Sequence, residues 1–238
     1  VANQTDDLYF RQLLSGRDFA KSDEVAIQMR NFSYLIGDPQ SRRCVVVDPA
    51  YAPNDLTQIA ADDGYEIDAV LITHYHADHC GGRMMGMNLP GIAEVLDEMN
   101  VPIVINRQEL EWVMKTTGLG KESFRLVDGG DKVQIGDVSV TMLHTPGHTP
   151  GSQCFLVRGR LVSGDTLFLD GCGRTDLPGG NPEELYRSLS SLAALPNDTD
   201  LYPGHDYSHR PHALLDDVKQ HNVVFRAETL ADWVRLFG

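Results

Sequence analysis

No stretch of this chain reaches the roughly 18 uninterrupted apolar residues that a transmembrane helix needs, and its opening VANQTDDLYF carries no basic-then-apolar leader. A soluble, cytoplasmic protein with no membrane partner is the expectation. Basic residues are scarce: 20 lysines and arginines against 34 aspartates and glutamates give a formal net charge of -14. That balance is a poor match to phosphate backbones or an anionic lipid surface, so nucleic acid is not an expected partner. The four cysteines, Cys44, Cys80, Cys154 and Cys172, form no CxxC pair and are too few for a disulfide scaffold. Cys44 in RCVVVDP and Cys154 in SQCFLV lie in strand-like runs and read as small buried hydrophobes. There is also no low-complexity linker and no short-period repeat, so the chain reads as a single domain over residues 1–238. A homodimer is the ordinary outcome for such a chain.

What is present is a regular alternation of apolar runs and amphipathic stretches. NFSYLIG, CVVVDP and AVLIT read as strands, and PNDLTQIAADDG as a helix with Asn54 as its N-cap and Gly64 closing it. GIAEVLDEMN and RQELEWVMKTTG have helical spacing, and the Ile-Gly-Asp centre of DKVQIGDVSVTML suits a hairpin turn. SQCFLV, RLVSG and DLY are further strands. NPEELYRSLSSLAAL is a helix capped by Asn181 with Pro182 at its first position. Two helices close the chain, and Leu230, Trp233, Val234 and Phe237 share one face of the last. Strands and helices fall in two comparable halves, which predicts two sheets packed together with helices outside, a four-layer αββα sandwich.

The chemistry sits where strands end. AVLIT runs into His74, VTMLHTPGH into His148, RLVSGD into Asp165 and DLYPGH into His205, as a site at one edge of a sheet requires. Within HYHADH an extended segment points His74 and His76 the same way, while Asp78 and His79 follow on the turn into a helix. Five of the nine histidines and two aspartates thus form one metal-ligand constellation. His144 reads as a supporting or core histidine rather than a ligand, and His209, His212 and His221 as surface groups in a polar helical stretch.

THYHADH, TPGHTPGS, SGDTLF and PGH together resemble the metallo-β-lactamase superfamily, and the resemblance spans nearly the whole chain. It implies an α/β fold of two mixed sheets between outer helices with metal at the sheet edge. GCGRTDLPGG, LYPGHDY and the opening FRQL with its later YLIGD are more specifically similar to the persulfide dioxygenases; the related glyoxalase II family shares GCGR. The first resemblance implies one Fe(II) per chain held by His74, His148 and Asp165, with His76, Asp78, His79 and His205 orienting the ligands. It also implies a low-molecular-weight thiol persulfide, such as glutathione persulfide, oxidised by O2 to sulfite and thiol. The second implies two Zn(II): His74, His76 and His148 on one, Asp78, His79 and His205 on the other, Asp165 bridging, and a thioester as substrate. The same seven residues serve both schemes.

Around them, Arg174 reads as a partner for a substrate carboxylate or as half of a salt bridge with Asp176. Tyr207 is a hydrogen-bond donor near the substrate or a packing residue, and Cys172 a pocket residue or a small buried group in a tight GCG turn. Met84, Met85 and Met87 read as gap-fillers under a loop, with a soft lid as the alternative. Two stretches depart from the dioxygenase pattern, SGRDFAKSDEVAIQM after FRQL and a longer segment between Gly82 and Lys132, and both are expected at the substrate entrance.

Overall fold

The computed structural model describes residues 8–84 and 86–238. In chain order, β1 (Tyr9–Leu14) and α1 (Glu24–Met29) precede β2 (Phe32–Asp38), β3 (Arg43–Val47), α2 (Pro53–Asp62) and β4 (Glu66–Leu71). The one-turn helix α3 (Ala77–Cys80) leads into a hairpin of β5 (Gly82–Met84) and β6 (Met87–Leu89). Next come α4 (Ile92–Glu98), β7 (Ile103–Asn106), α5 (Leu110–Thr117) and β8 (Phe124–Val127). The second half runs β9 (Lys132–Ile135), β10 (Val138–His144), β11 (Gln153–Val157), β12 (Arg160–Gly164), α6 (Pro182–Ala193) and β13 (Asp200–Pro203). It ends with β14 (Ala213–Leu214), α7 (Leu215–His221) and α8 (Leu230–Phe237).

Two six-stranded sheets result, ordered β1-β2-β3-β4-β7-β8 and β14-β13-β12-β11-β10-β9. Both are mixed: β3, β4, β7 and β8 run parallel beside antiparallel β1 and β2, and the second sheet is antiparallel except where β12 meets β13. Successive side chains of a strand point to opposite faces, and β3 shows what that does here. Val45 and Val47 meet Val140 and Phe155 in the core between the sheets, while Cys44 and Val46 face a separate core with Leu56 of α2 and Ile92 of α4. Cys154 and Leu161 of the second sheet pack under Leu185 and Leu189 of α6 and Trp233 of α8. Three cores between four layers confirm the αββα sandwich.

Local signals explain most boundaries. Asn181 accepts from the backbone N–H groups of Glu183 and Glu184, and Pro182 starts α6. Gly136, at φ 52°, turns β9 into β10. Asn54 is not the cap of α2: the helix starts at Pro53, whose ring presets a helical φ, and the Asn54 side chain instead donates to Glu98 Oε1 at 2.7 Å. In α8 Trp233 is fully buried with Val234 and Phe237 packed beside it. Cys44, Cys80 and Cys154 are buried, Cys172 is half-buried, and all four are unpaired. Among the described residues, no helix is long and apolar enough to cross a membrane.

Several elements were not anticipated. YFRQLL, IVIN and FRLV form β1, β7 and β8, and the stretch after FRQL folds into α1, whose N-terminus Asp23 caps by accepting from Val25 and Ala26. His209, His212 and His221 are exposed, but only His221 lies in a helix. Met84 packs against the outer core, whereas Met87 is 44% exposed on the hairpin and fills no gap. Met85 lies outside the described residues.

Candidate metal centre

The loops after β4, β10, β12 and β13 meet at one edge of the sandwich. Most of the histidines there are tied through one ring nitrogen, which aims the other inward. His148 Nδ1 is 2.7 Å from the Arg174 carbonyl, and His205 Nδ1 is 2.8 Å from the Met29 carbonyl. His79 Nδ1 lies 2.9 Å from Asp48 Oδ2, and His74 Nδ1 lies 3.0 Å from Thr73 Oγ1. Asp48 in turn accepts from the Thr73 hydroxyl at 2.6 Å and its backbone N–H at 2.8 Å. Two glycines of the sequence motifs make the close approach achievable. A Cβ on Gly173 would sit 2.9 Å from the His148 ring, and one on Gly204 would collide with Asp165 Oδ1.

The inward-facing atoms fall into two sets. His74 Nε2 and His148 Nε2 each lie 3.0 Å from His76 Nδ1. In the second set His79 Nε2 and His205 Nε2 are 3.3 Å apart, and each lies 3.4–3.5 Å from Asp78 Oδ2. Asp165 reaches both: its Oδ1 is 3.4 Å from His79, and its Oδ2 is 3.3 Å from His205 and 3.8 Å from His148. All seven residues singled out from the sequence are therefore brought together. Three groups of donor atoms lie close enough to share an ion: His74, His76 and His148; His74, His79 and Asp165; and Asp78, His79 and His205.

Charge separates the sets. Burial lowers His74, His76 and His148; His79 and then His76 lower His74 further, and His148 lowers His76 further, to about 4, so these three imidazoles are neutral at pH 7. Burial also acts to lower His79, but Asp165, Asp78 and Asp48 more than offset it and hold His79 up at about 9. His205 is raised against burial in the same way by Asp165 and Asp78. Both aspartates are pulled well below the ordinary carboxyl range, because the neighbouring histidines outweigh burial.

A divalent cation fits these residues. Buried Asp165 Oδ1 has no hydrogen-bond partner, and the three neutral imidazoles of the first set turn ring nitrogens toward one another. The donors are nitrogen and oxygen without thiolate, a set that suits iron, zinc or manganese. Cys80 donates instead to the Tyr75 and Gly81 carbonyls, and Cys172 is pushed up to about 12 by burial.

The centre opens into a cavity of about 910 Å³. His76, Asp78, His148, Asp165 and His205 form its floor, and Phe168, Cys172, Arg174, Leu177 and Tyr207 are among its walls. Met29 of α1 and Arg83, Met84 and Thr116 of the longer segment also line it, so both departing stretches reach the cavity over the centre. Arg174 makes a two-pronged pair with Asp176, both contacts 2.7 Å and both residues exposed. Tyr207 is 54% exposed and stacks on His205, ring centroids 4.5 Å apart. His144 is a supporting group whose Nε2 lies 3.0 Å from the Pro150 carbonyl.

Three buried residues around the centre escaped the sequence reading. Asp48 ends the VVVD strand, so the strand-end rule that found the ligands also points to it. Asn31 and Glu109 carry no such mark. The Asn31 amide donates to Asp78 Oδ2 at 3.0 Å while its oxygen accepts from the Tyr51 hydroxyl at 3.0 Å. Glu109 opens a helix whose sequence shows only an amphipathic pattern. Burial raises its carboxyl to about 7 against three hydrogen bonds that lower it.

A four-layer sandwich with this histidine and aspartate cluster at its edge defines a metal-dependent enzyme scaffold. The chain belongs to the Metallo-beta-lactamase superfamily, whose sequence profile matches residues 28–205. It is 36% identical over 182 residues to a hydroxyacylglutathione hydrolase of Pseudomonas putida (strain GB-1), a match covering 75% of this chain and 62% of that protein. Over 200 residues, 83% of each chain, it is 28% identical to the "Probable polyketide biosynthesis zinc-dependent hydrolase PksB" of Bacillus subtilis (strain 168). Its structure resembles that of ETHE1 from Myxococcus xanthus with a TM-score of 0.77 and 28% identity, covering 96% of this chain and 89% of that one.

Proposed function

We propose that the protein is an iron-dependent persulfide dioxygenase. It oxidises a low-molecular-weight thiol persulfide, such as glutathione persulfide, with O2 and water to sulfite and the free thiol. The observation that carries this reading is the continuation of the shared GCGR as Thr175 and Asp176, with Asp176 paired to the Arg174 that lines the cavity above the centre. The resemblance to the Myxococcus ETHE1 structure along nearly the full length of both chains supports it.

In this reading His74, His148 and Asp165 hold one Fe(II), which supplies open coordination positions and the electron transfer that joining O2 to sulfur requires. His76, Asp78, His79 and His205 orient those ligands. Arg174 exchanges Asp176 for a carboxylate of the thiol carrier, an inexpensive exchange because the existing pair is exposed. Tyr207 stays a phenol, since burial raises it, and offers its O–H at the cavity wall. Phe168 and Leu177 give the cavity apolar surface that suits the sulfur chain.

A second reading has its own support. Asp78, His79 and His205 are complete as a second ligand set, and the hydroxyacylglutathione hydrolase similarity is substantial. It makes the protein a dinuclear zinc thioester hydrolase with Asp165 bridging. One experiment separates the two. After anaerobic Fe(II) loading, glutathione persulfide should drive O2 uptake and sulfite release, with little thiol released from S-lactoylglutathione. Thiol release from the thioester without oxygen uptake, in protein carrying two zincs, selects the hydrolase.

A further inference from the structure

The three imidazoles of the first set come from two loops, and a single buried carboxylate bridges those loops. Glu109 is 1% exposed and belongs to the short 3-10 turn that leads into α5. Its Oε1 accepts from the Tyr75 backbone N–H and the Thr149 hydroxyl, both at 2.7 Å. Its Oε2 accepts from the Gly151 backbone N–H at 2.6 Å. Tyr75 lies between His74 and His76, and Thr149 follows His148. Gly151 leaves the room that this requires: a Cβ there would meet Glu109 Oε2 at 2.6 Å. The same helix grips the first loop again through Trp112, which stacks on Tyr75 with ring centroids 5.1 Å apart.

Nothing comparable reaches the other set from Glu109. Asp78, His79 and His205 instead contact Asn31, Asp48 and the Met29 carbonyl, respectively. We propose that Glu109 is a positioning residue that fixes the spacing of His74, His76 and His148 and thereby sets how tightly metal is held by those imidazoles. The longer segment between Gly82 and Lys132 thus supplies a brace for the metal centre as well as part of the cavity wall. This assignment holds for either reaction above, because His74 and His148 are ligands in both.

The geometry explains why the group is a carboxylate. Two N–H groups and one hydroxyl converge on it, and a carboxylate can accept from all three at once. Glutamine keeps an oxygen for Tyr75 and Thr149 but turns an NH2 toward the Gly151 N–H, which loosens the His148 loop alone.

The test uses the full chain in a His205→Ala background, where the second set is disabled and the bound ion reports on the His74 and His148 side. Zinc affinity is measured by chelator competition, and Tm is measured without metal. Glu109→Gln should weaken zinc by about 10- to 100-fold, the usual effect of removing a group that orients ligands. Thr149→Val, which keeps the carboxylate and both backbone bonds, should give a smaller loss in the same direction and stands in if Glu109→Gln does not fold. A purely structural role predicts a lower metal-free Tm with zinc affinity within about 2-fold of the parent in both variants, and that result overturns the proposal.

Discussion

The two ligand sets of the metal centre lie side by side and are held together by opposite means. His74, His76 and His148 are neutral and attract one another only weakly, so their convergence depends on what grips their loops from outside: Thr73, the Arg174 carbonyl and Glu109. His79 and His205 sit between Asp78 and Asp165, and opposite charges compensate within the set. A buried charge is tolerated when it is paired and hydrogen-bonded. The second set can therefore persist without an ion, whereas the first is organised for one. That difference predicts that metal enters at the imidazole side first, as the one-iron reading proposed above requires.

Asp165 is the element common to both sets, and its loss should have the largest effect of any single substitution. Asp165→Ala removes the shared carboxylate and leaves His205 facing Asp78 alone and His79 facing Asp78 and Asp48. Persulfide oxidation should fall by more than about 100-fold, beyond what removal of an orienting group produces, and elemental analysis should find less than one metal per chain. Full metal content in this variant would show that the sets are independent and end the comparison at its root.

How much of this was legible beforehand follows from where each signal resides. The cluster was readable because His74, His148, Asp165 and His205 each stand just past an apolar run, and a run and its end are local features. The four layers were readable for a similar reason, since strands such as β3 alternate between two cores. Glu109 was not readable: in RQELEWVMKTTG it occupies what looks like a solvent-facing position, and only the tertiary approach of the Tyr75 and Thr149 loops gives it a purpose. Asn31 was hidden in the same way, as the polar residue ahead of a strand. IVIN and FRLV were too short to stand out beside the helical patterns around them, yet they complete the first sheet as β7 and β8.

A narrower test bears on the second set alone. Asp78 touches metal directly in the two-zinc arrangement and only orients its neighbours in the one-iron arrangement. Asp78→Ala should keep about one iron per chain and lower persulfide oxidation by about 10- to 100-fold. Wild-type protein with two metals and this variant with one would mean that the second set holds an ion in the working enzyme, and the contrast between the sets would then be one of charge without consequence for occupancy.

The smallest effect is expected at Asn31, and its direction is informative. The Asn31 oxygen accepts from the Tyr51 hydroxyl, which directs the amide nitrogen toward Asp78 Oδ2 at 3.0 Å. That nitrogen also lies 3.3 Å from His79 Nε2 and 3.4 Å from His205 Nε2, so one donor group stands against all three members of the second set. An ion taking these three ligands must compete with the amide for Asp78. Asn31→Ala removes the competitor, and one hydrogen bond to a carboxylate is worth about 1.5–3 kcal/mol before losses elsewhere. Part of that gain is offset because Tyr51 is left without its acceptor, so binding of a second zinc should tighten by only about 3-fold. Chelator competition on the second equivalent of zinc reads this directly. If the second zinc binds more weakly in Asn31→Ala than in the parent, the amide supports that ligand set rather than opposing its occupation, and the second set is built for metal as fully as the first.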